Sequence, residues 1–309
     1  PGQTPGNVLI EIKSGKIKGN PTLWSWHIWI VDKYPTVLDV ASQGGDGPKT
    51  VQLMSHLLGA YERVQSQYSA DAYREFGMQY QWGRKDPFPA HDVRVNKNFY
   101  DGSGKLFDFL WEQRGNDVDY GKTDAQQARG AALTMKQSIE HPNAIVSHQS
   151  FWLYECFPHG FVSYFKDRWV FLYPWNQPSR TGNPEDVGGK TVFDPSPYGF
   201  RIMSQKEAVT LRSAYYYASR SGLNTPLPGS IYDGSFTDGK SGGNEVIFAV
   251  AQARSDTHAG RYLLNSTGGP AGWAPTSNTS AVYRRCMTYS VRPVIDPDVQ
   301  EDYKKYLPE

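Results

Sequence analysis

Three stretches of this sequence and a pair of cysteines carry residue types that do chemistry, and their spacing decides what each can do. "GGKT" at residues 188–191 holds the lysine and hydroxyl of a phosphate-binding loop. The full pattern also needs a glycine at position 184, which is Pro184, and a helix that "VFDPSPYG" cannot begin. The stretch is a decoy. "DGSFTDGKSGGNE" gathers Asp233, Asp238, Asn244 and Glu245, hard oxygen donors of the kind calcium takes. Their spacing departs from the calcium-loop pattern, and Asp-Gly pairs are ordinary turn formers. His27, within "TLWSWHIWIVD", has no second ligand or nucleophile beside it, so a hydrogen-bonded core ring is expected there and not a catalyst. The histidines never fall at a metal-pair spacing with a carboxylate, and no G-x-S-x-G occurs. Cys156 and Cys286 are too far apart in sequence for a CxxC pair; one disulfide or two buried thiols both fit. No catalytic residue, metal or cofactor is assigned on these grounds.

The elements that must carry such residues are mostly strands. In "TLWSWHIWIVD", Trp24, Trp26 and Ile28 alternate with Ser25, His27 and Trp29, the two-residue period of a strand. Both faces are rich in aromatic or branched residues, so coverage on both sides is expected, with Trp24 and Trp26 in the core. "NVLIEIKSGKI" reads as a preceding strand and turn, "VIFAVAQA" as an apolar strand, and "AVYRRCMTYSVRPVI" as one or two closing strands. "VQLMSHLLGAYERV" is apolar enough to be buried in either helical or extended form. "FGMQYQWGRKDPFPAHD" ends in an irregular, proline-interrupted segment. Two helices are expected. Thr123 with Gln126 forms a capping box ahead of Ala128, Ala132, Met135 and Ile139, and Pro142 stops that run; Ser204 with Glu207 forms a second.

Composition narrows the class. Aromatics reach 14% and the 309 residues include 30 Gly and 21 Pro, a mixture suited to short strands and long ordered loops. With 32 basic against 31 acidic residues there is no basic excess to hold a phosphate backbone, so nucleic acid is not an expected partner. No apolar run is long enough to span a membrane. The start "PGQTPGNV" has no initiator Met, charged segment or apolar segment; it reads as a trimmed start with any export signal lost from view. No repeat or linker divides the chain. One elaborated domain over 1–296 is expected, with a charged tail over 297–309.

A series of unusual phrases in a fixed order points further: "LWSWHIWIVD" at 23–32, "LMSHLLGA" at 53–60, "FGMQYQWGRKDPFP" at 76–89, "SIEHPNAIV" at 138–146, "KTVFDPSPYGFRIMSQKEA" at 190–208, "GRYLLNST" at 260–267 and "SVRPV" at 290–294. Over residues 6–296 the chain resembles exported surface proteins of the Bacteroidetes related to the Fibrobacter major paralogous domain. The resemblance implies an α+β, C-type-lectin-like fold: small twisted antiparallel sheets, paired end strands, two flanking helices and long ordered loops. It also implies export to the cell surface or outer membrane, as a lipid-anchored or fimbria-associated protein. Two departures stand out. "MSHLLGA" replaces the family's "MDRNLGA", and Ser196 stands where the family often has the cysteine of "DPCPPG".

The expectation is therefore a non-enzymatic cell-surface binding protein that recognises a glycan or a host or bacterial protein through loops. Trp273 in "GPAGWAPTSN", then Tyr232 and Trp175, are the candidate ligand-binding aromatics, because exposed rings on Gly- and Asn-rich loops stack on sugars. Each is also a candidate for plain loop packing. One alternative is a fimbrial tip or assembly subunit that binds only its own partners, which an exposed sheet edge favours. The more distant alternative is a relative of the formylglycine-generating oxidases, whose closely spaced cysteine pair Cys156 and Cys286 do not provide.

Overall fold

A computed structural model describes residues 5–16, 20–41, 48–62, 75, 77–88, 135–140, 142, 174–178, 187–208, 210, 230–232, 235–237, 245–253, 258–265, 283–284 and 288–299. Strands come first along the chain: β1 (Gly6–Lys13), β2 (Thr22–Ile30), β3 (Val37–Ala41), β4 (Thr50–Met54) and β5 (Gln79–Gln81). A short helix, α1 (Met135–Glu140), is followed by β6 (Asn176–Pro178), β7 (Val187–Lys190) and β8 (Phe200–Arg201). The remaining strands are β9 (Ser230–Tyr232), β10 (Ser235–Thr237), β11 (Glu245–Ala253), β12 (His258–Asn265), β13 (Tyr283–Arg284), β14 (Thr288–Ser290) and β15 (Val294–Ile295). The described architecture is thus a set of small, mostly antiparallel sheets with little helix.

Two sheets meet at the core. One runs β13-β12-β11-β14-β5, antiparallel except for the parallel neighbours β11 and β14; the other runs β3-β4-β15-β8 and is antiparallel throughout. The closing segment joins them, since β14 belongs to the first and β15 to the second. Leu53, Met54, Tyr80, Trp82, Phe88, Trp175, Phe200, Val250, Tyr289 and Val294 are fully buried. "VQLMSHLLGA" resolves as the strand β4 leading into a buried turn, and "AVYRRCMTYSVRPVI" as three short strands. The terminal strand β15 pairs with β4 and β8, while β1 pairs with β2, so paired end strands are not among the described pairings.

The glycines of the motif phrases serve tight turns. Ala60 N–H donates to Leu57 O (3.0 Å) across a turn whose third residue, Gly59, has φ of 85°. A Cβ there would meet Met78 at 2.5 Å and the Asn7 side chain at 3.1 Å, so backbone sign and space both require glycine. Gly83, with φ of 83°, takes the same place in the turn closed by Arg84 N–H to Gln81 O.

The Ser204–Glu207 capping box forms as its spacing predicts. Ser204 N–H donates to Glu207 Oε2 (2.7 Å), and Glu207 N–H donates back to Ser204 Oγ (3.1 Å). Residues 205–208 and 210 are helical, and Arg201 grips the same carboxylate with both terminal nitrogens, at 2.8 and 2.9 Å. The first expected helix is described only over Met135–Glu140, short of Pro142; Thr123 and Gln126 lie outside the described residues. "GGKT" is extended: β7 pairs with β6, and the Lys190 ammonium is spent on the Ser196 and Pro197 carbonyls.

One expectation is overturned. Trp26 is not a core residue: it is 45% exposed, and Trp24 is only partly buried, tilted against Phe193. The alternation was read correctly but two-sided coverage was not, because β1 and β2 form a two-stranded sheet with only one face on the core.

Candidate functional site

The β1–β2 hairpin is built with its polar face inward. Pairing puts Asn7 opposite Trp29, Leu9 opposite His27 and Glu11 opposite Ser25 on one face. The other face carries Val8 opposite Ile28, Ile10 opposite Trp26 and Ile12 opposite Trp24. A soluble hairpin ordinarily turns its branched apolar set to the core. Here the order is reversed. Val8, Ile10, Ile12, Trp26 and Ile28 are each between 41% and 49% exposed, and Leu23, where the register slips by one residue, is 58% exposed.

Three anchors hold the inner face. In the first, Asn7 Nδ2 donates to Gly59 O (2.8 Å), which turns Asn7 Oδ1 toward His27 Nε2 (2.8 Å). His27 Nε2 must therefore carry the proton, leaving Nδ1 to accept from the Tyr80 hydroxyl (3.0 Å). Both ring nitrogens are used by neutral partners, and burial pushes the imidazole pKa down to about 4. Burial, reinforced by Asp86 and Asp194, pushes the Tyr80 hydroxyl well up, so it stays a donor. In the second anchor, Trp29 Nε1 donates to Ala60 O (3.0 Å).

The third anchor brings together a hydroxyl, an ammonium and a carboxylate. Ser25 Oγ donates to Asp86 Oδ1 (2.6 Å), while Lys85 Nζ donates to Ser25 O (2.9 Å), to Asp86 Oδ1 (2.7 Å) and to Ser25 Oγ. A serine beside a lysine is an arrangement used for nucleophilic attack, with the amine as base. This one is filled differently. The Lys85 ammonium directs its donors at three acceptors, the Trp24 ring lies 4.6 Å from Nζ, and Ser25 is 2% exposed. Burial lowers the Lys85 pKa, and the adjoining Asp86 carboxylate opposes that shift. The cluster is a buried ion pair tying β2 to the turn after β5.

That turn belongs to "YQWGRKDPF", which reaches every neighbouring element. Tyr80 meets His27, Lys85 and Asp86 meet Ser25, and Trp82 Nε1 donates to Ala251 O of β11 (3.1 Å). Arg84 lies 4.8 Å over the Phe88 ring and donates to the carbonyl of Pro142, beyond α1 (2.9 Å).

Of the sequence-derived ligand-binding residues, only Trp175 and Tyr232 are among the described residues. Trp175 is fully buried: its indole N–H donates to Arg84 O (2.9 Å) and its ring tilts against Trp82 at 6.3 Å. It packs the core and offers no ring to a sugar. Tyr232 ends β9, and its Cα partner Ser235 begins β10. Trp273, Cys156, Cys286, Asp233, Asp238 and Asn244 lie outside the described residues, while Glu245 begins β11. No group of three His, Cys, Asp or Glu side chains suited to a metal occurs among the described residues. The residues that sequence reasoning missed are Val8, Ile10 and Ile12. Their alternation with Asn7, Leu9 and Glu11 was visible, but it reads equally well with the apolar set inside.

No protein-family pattern, characterised protein sequence or solved structure matches this chain.

Proposed function

We propose that this chain is an exported surface protein of C-type-lectin-like design that binds a protein partner through the outer face of the β1–β2 hairpin, as a subunit of a surface assembly. One observation carries the reading: a firmly anchored two-stranded sheet turns Val8, Ile10, Ile12, Trp26 and Ile28 of its apolar face to solvent. A contiguous apolar patch in the ~300–600 Å² range is the size of a monomer's largest and is often functional. Neither outer edge of the hairpin joins another strand among the described residues, the feature expected of a subunit that assembles by its sheet. The resemblance of "LWSWHIWIVD" and "YQWGRKDPFP" to exported Bacteroidetes proteins supports the location and the fold. No helix of the described residues is long and apolar enough to cross a membrane.

A loop-borne glycan site is the second reading, favoured by the place of Tyr232 at the end of β9, with Trp273 as its other aromatic. One experiment separates them. The purified chain is bound to envelope fragments of its native cells and to a glycan array, alongside Ile10→Asn and Trp273→Ala. Envelope binding lost only in Ile10→Asn, with an unchanged melt, supports the hairpin. Glycan binding weakened by about 1–3 kcal/mol in Trp273→Ala alone moves recognition to the loop.

A further inference from the structure

We infer that the partner of the β1–β2 hairpin is a second copy of this chain, the two hairpins packing face to face across a two-fold axis. This rests on the reading of the hairpin as a protein-docking face. The cross-strand pairs Val8/Ile28, Ile10/Trp26 and Ile12/Trp24 put no charge on that face. The nearest charges are spent elsewhere. The Lys85 ammonium, 4.6 Å from the Trp24 ring, is buried and paired with Asp86. Glu11 belongs to the inner face, where it accepts from Thr22 Oγ1 (2.6 Å), and Lys13 is paired with Glu11 at 3.3 Å. An uncharged apolar strip gives a charged or strongly polar partner nothing to pair with; its complement is another strip of the same kind.

Size selects among apolar partners. The exposed parts of six branched or aromatic side chains amount to roughly 500 Å², within the ~300–600 Å² typical of a monomer's largest patch. A single extended peptide covers one strand's width of this. A second hairpin covers all of it and contributes an equal area, giving about 1,000 Å² in total, the lower bound for a specific interface. Self-packing needs a surface that is its own complement about a two-fold axis. The Ile10/Trp26 pair lies at the middle of the face, flanked on one side by Val8/Ile28 and on the other by Ile12/Trp24, so an axis through the central pair sets branched side chains against aromatic ones at about the 10 Å spacing of packed sheets. The three inner anchors fix the strands beforehand, so little ordering is left for association.

Sedimentation equilibrium of the full chain from about 1 to 100 µM tests this, since an interface near the lower size limit dissociates in the micromolar range. The wild type should shift from monomer to dimer across that span. Ile10→Asn should weaken the dimer at least about tenfold, as loss of a central apolar contact does. Ala41→Asn, which changes an exposed residue at the end of β3 in a different sheet, should leave it intact. Thermal melts confirm that both variants fold; should Ile10→Asn fail to fold, Ile28→Asn takes its place. A wild type that stays monomeric at every concentration overturns the self-association. The hairpin reading then stands or falls separately, on the envelope binding of Ile10→Asn. A dimer of unchanged strength in the folded hairpin variant also overturns the inference, by placing the interface elsewhere.

Discussion

His27 shows how little a residue type says before its neighbours are known. A histidine is the usual proton carrier near neutral pH, but Asn7 and Tyr80 hold this ring as one neutral tautomer. Its folded pKa of about 4 lies below the unfolded value of 6.5, so between the two the unfolded chain binds the extra proton. Its contribution is therefore whole above pH 6.5 and is lost as pH falls toward 4, by at most about 3 kcal/mol. Urea unfolding at pH 7.5 and 4.5 should show this loss in the wild type and a clearly smaller one in His27→Asn. Equal losses would place the acid sensitivity in the carboxylates instead. Asp86 makes the complementary case. Asp86→Ala leaves the Lys85 ammonium buried without its counter-charge and should cost about 3–5 kcal/mol, whereas the double change Lys85→Met with Asp86→Leu should recover most of that loss. Recovery in the double variant is the decisive measurement, because a catalytic pair would regain stability and no activity.

Among elements, the β1–β2 hairpin and the segment around β5 contain similar residues and do opposite things with them. Trp26 stands on an outward face, and Trp82 is sealed with its indole nitrogen on Ala251 O. Trp82→Ala should cost about 3–5 kcal/mol, as deletion of a large core aromatic does. Trp26→Ala, measured at a concentration where the chain is monomeric, should cost less than about 1 kcal/mol. Melts of the two variants side by side check the assignment; a larger loss at Trp26 would mean that its face is covered within the monomer. An isolated two-stranded hairpin is marginal in water, so the anchors beneath this one must supply most of its stability. They leave the upper face free to bind.

At the scale of the molecule, the motif phrases serve cohesion. "YQWGRKDPF" joins the hairpin, β11, α1 and Trp175, and "SVRPV" carries the chain from one sheet to the other. Asp194 ties down the turn at "FDPSPYG": its carboxylate accepts from Ser196 N–H and Ile202 N–H, both at 2.8 Å, and burial raises its pKa. Ser196 is held in this turn through its backbone N–H. The sequence offers no ligand set with recognised metal spacing, so a chelator should leave the thermal midpoint unchanged. A drop restored by calcium would assign the oxygen donors between Asp233 and Glu245 as a site.

The strand period of "TLWSWHIWIVD", the capping box of Ser204 and Glu207, and the failure of "GGKT" as a phosphate loop were legible in the sequence by itself. Each rests on contacts within a few residues or on a covalent period. Which face of the hairpin meets the core was not legible, because a period of two defines two faces and ranks them only by polarity. Polarity misleads here, since the inner polar groups are satisfied by partners distant in sequence: Asn7 by Gly59, His27 by Tyr80 and Ser25 by Asp86. The choice between packing and binding at Trp175 was not legible for the same reason, its ring and N–H being taken up by Trp82 and Arg84. Burying a polar group is cheap once its hydrogen bond is met, and only the tertiary structure brings the partner that meets it.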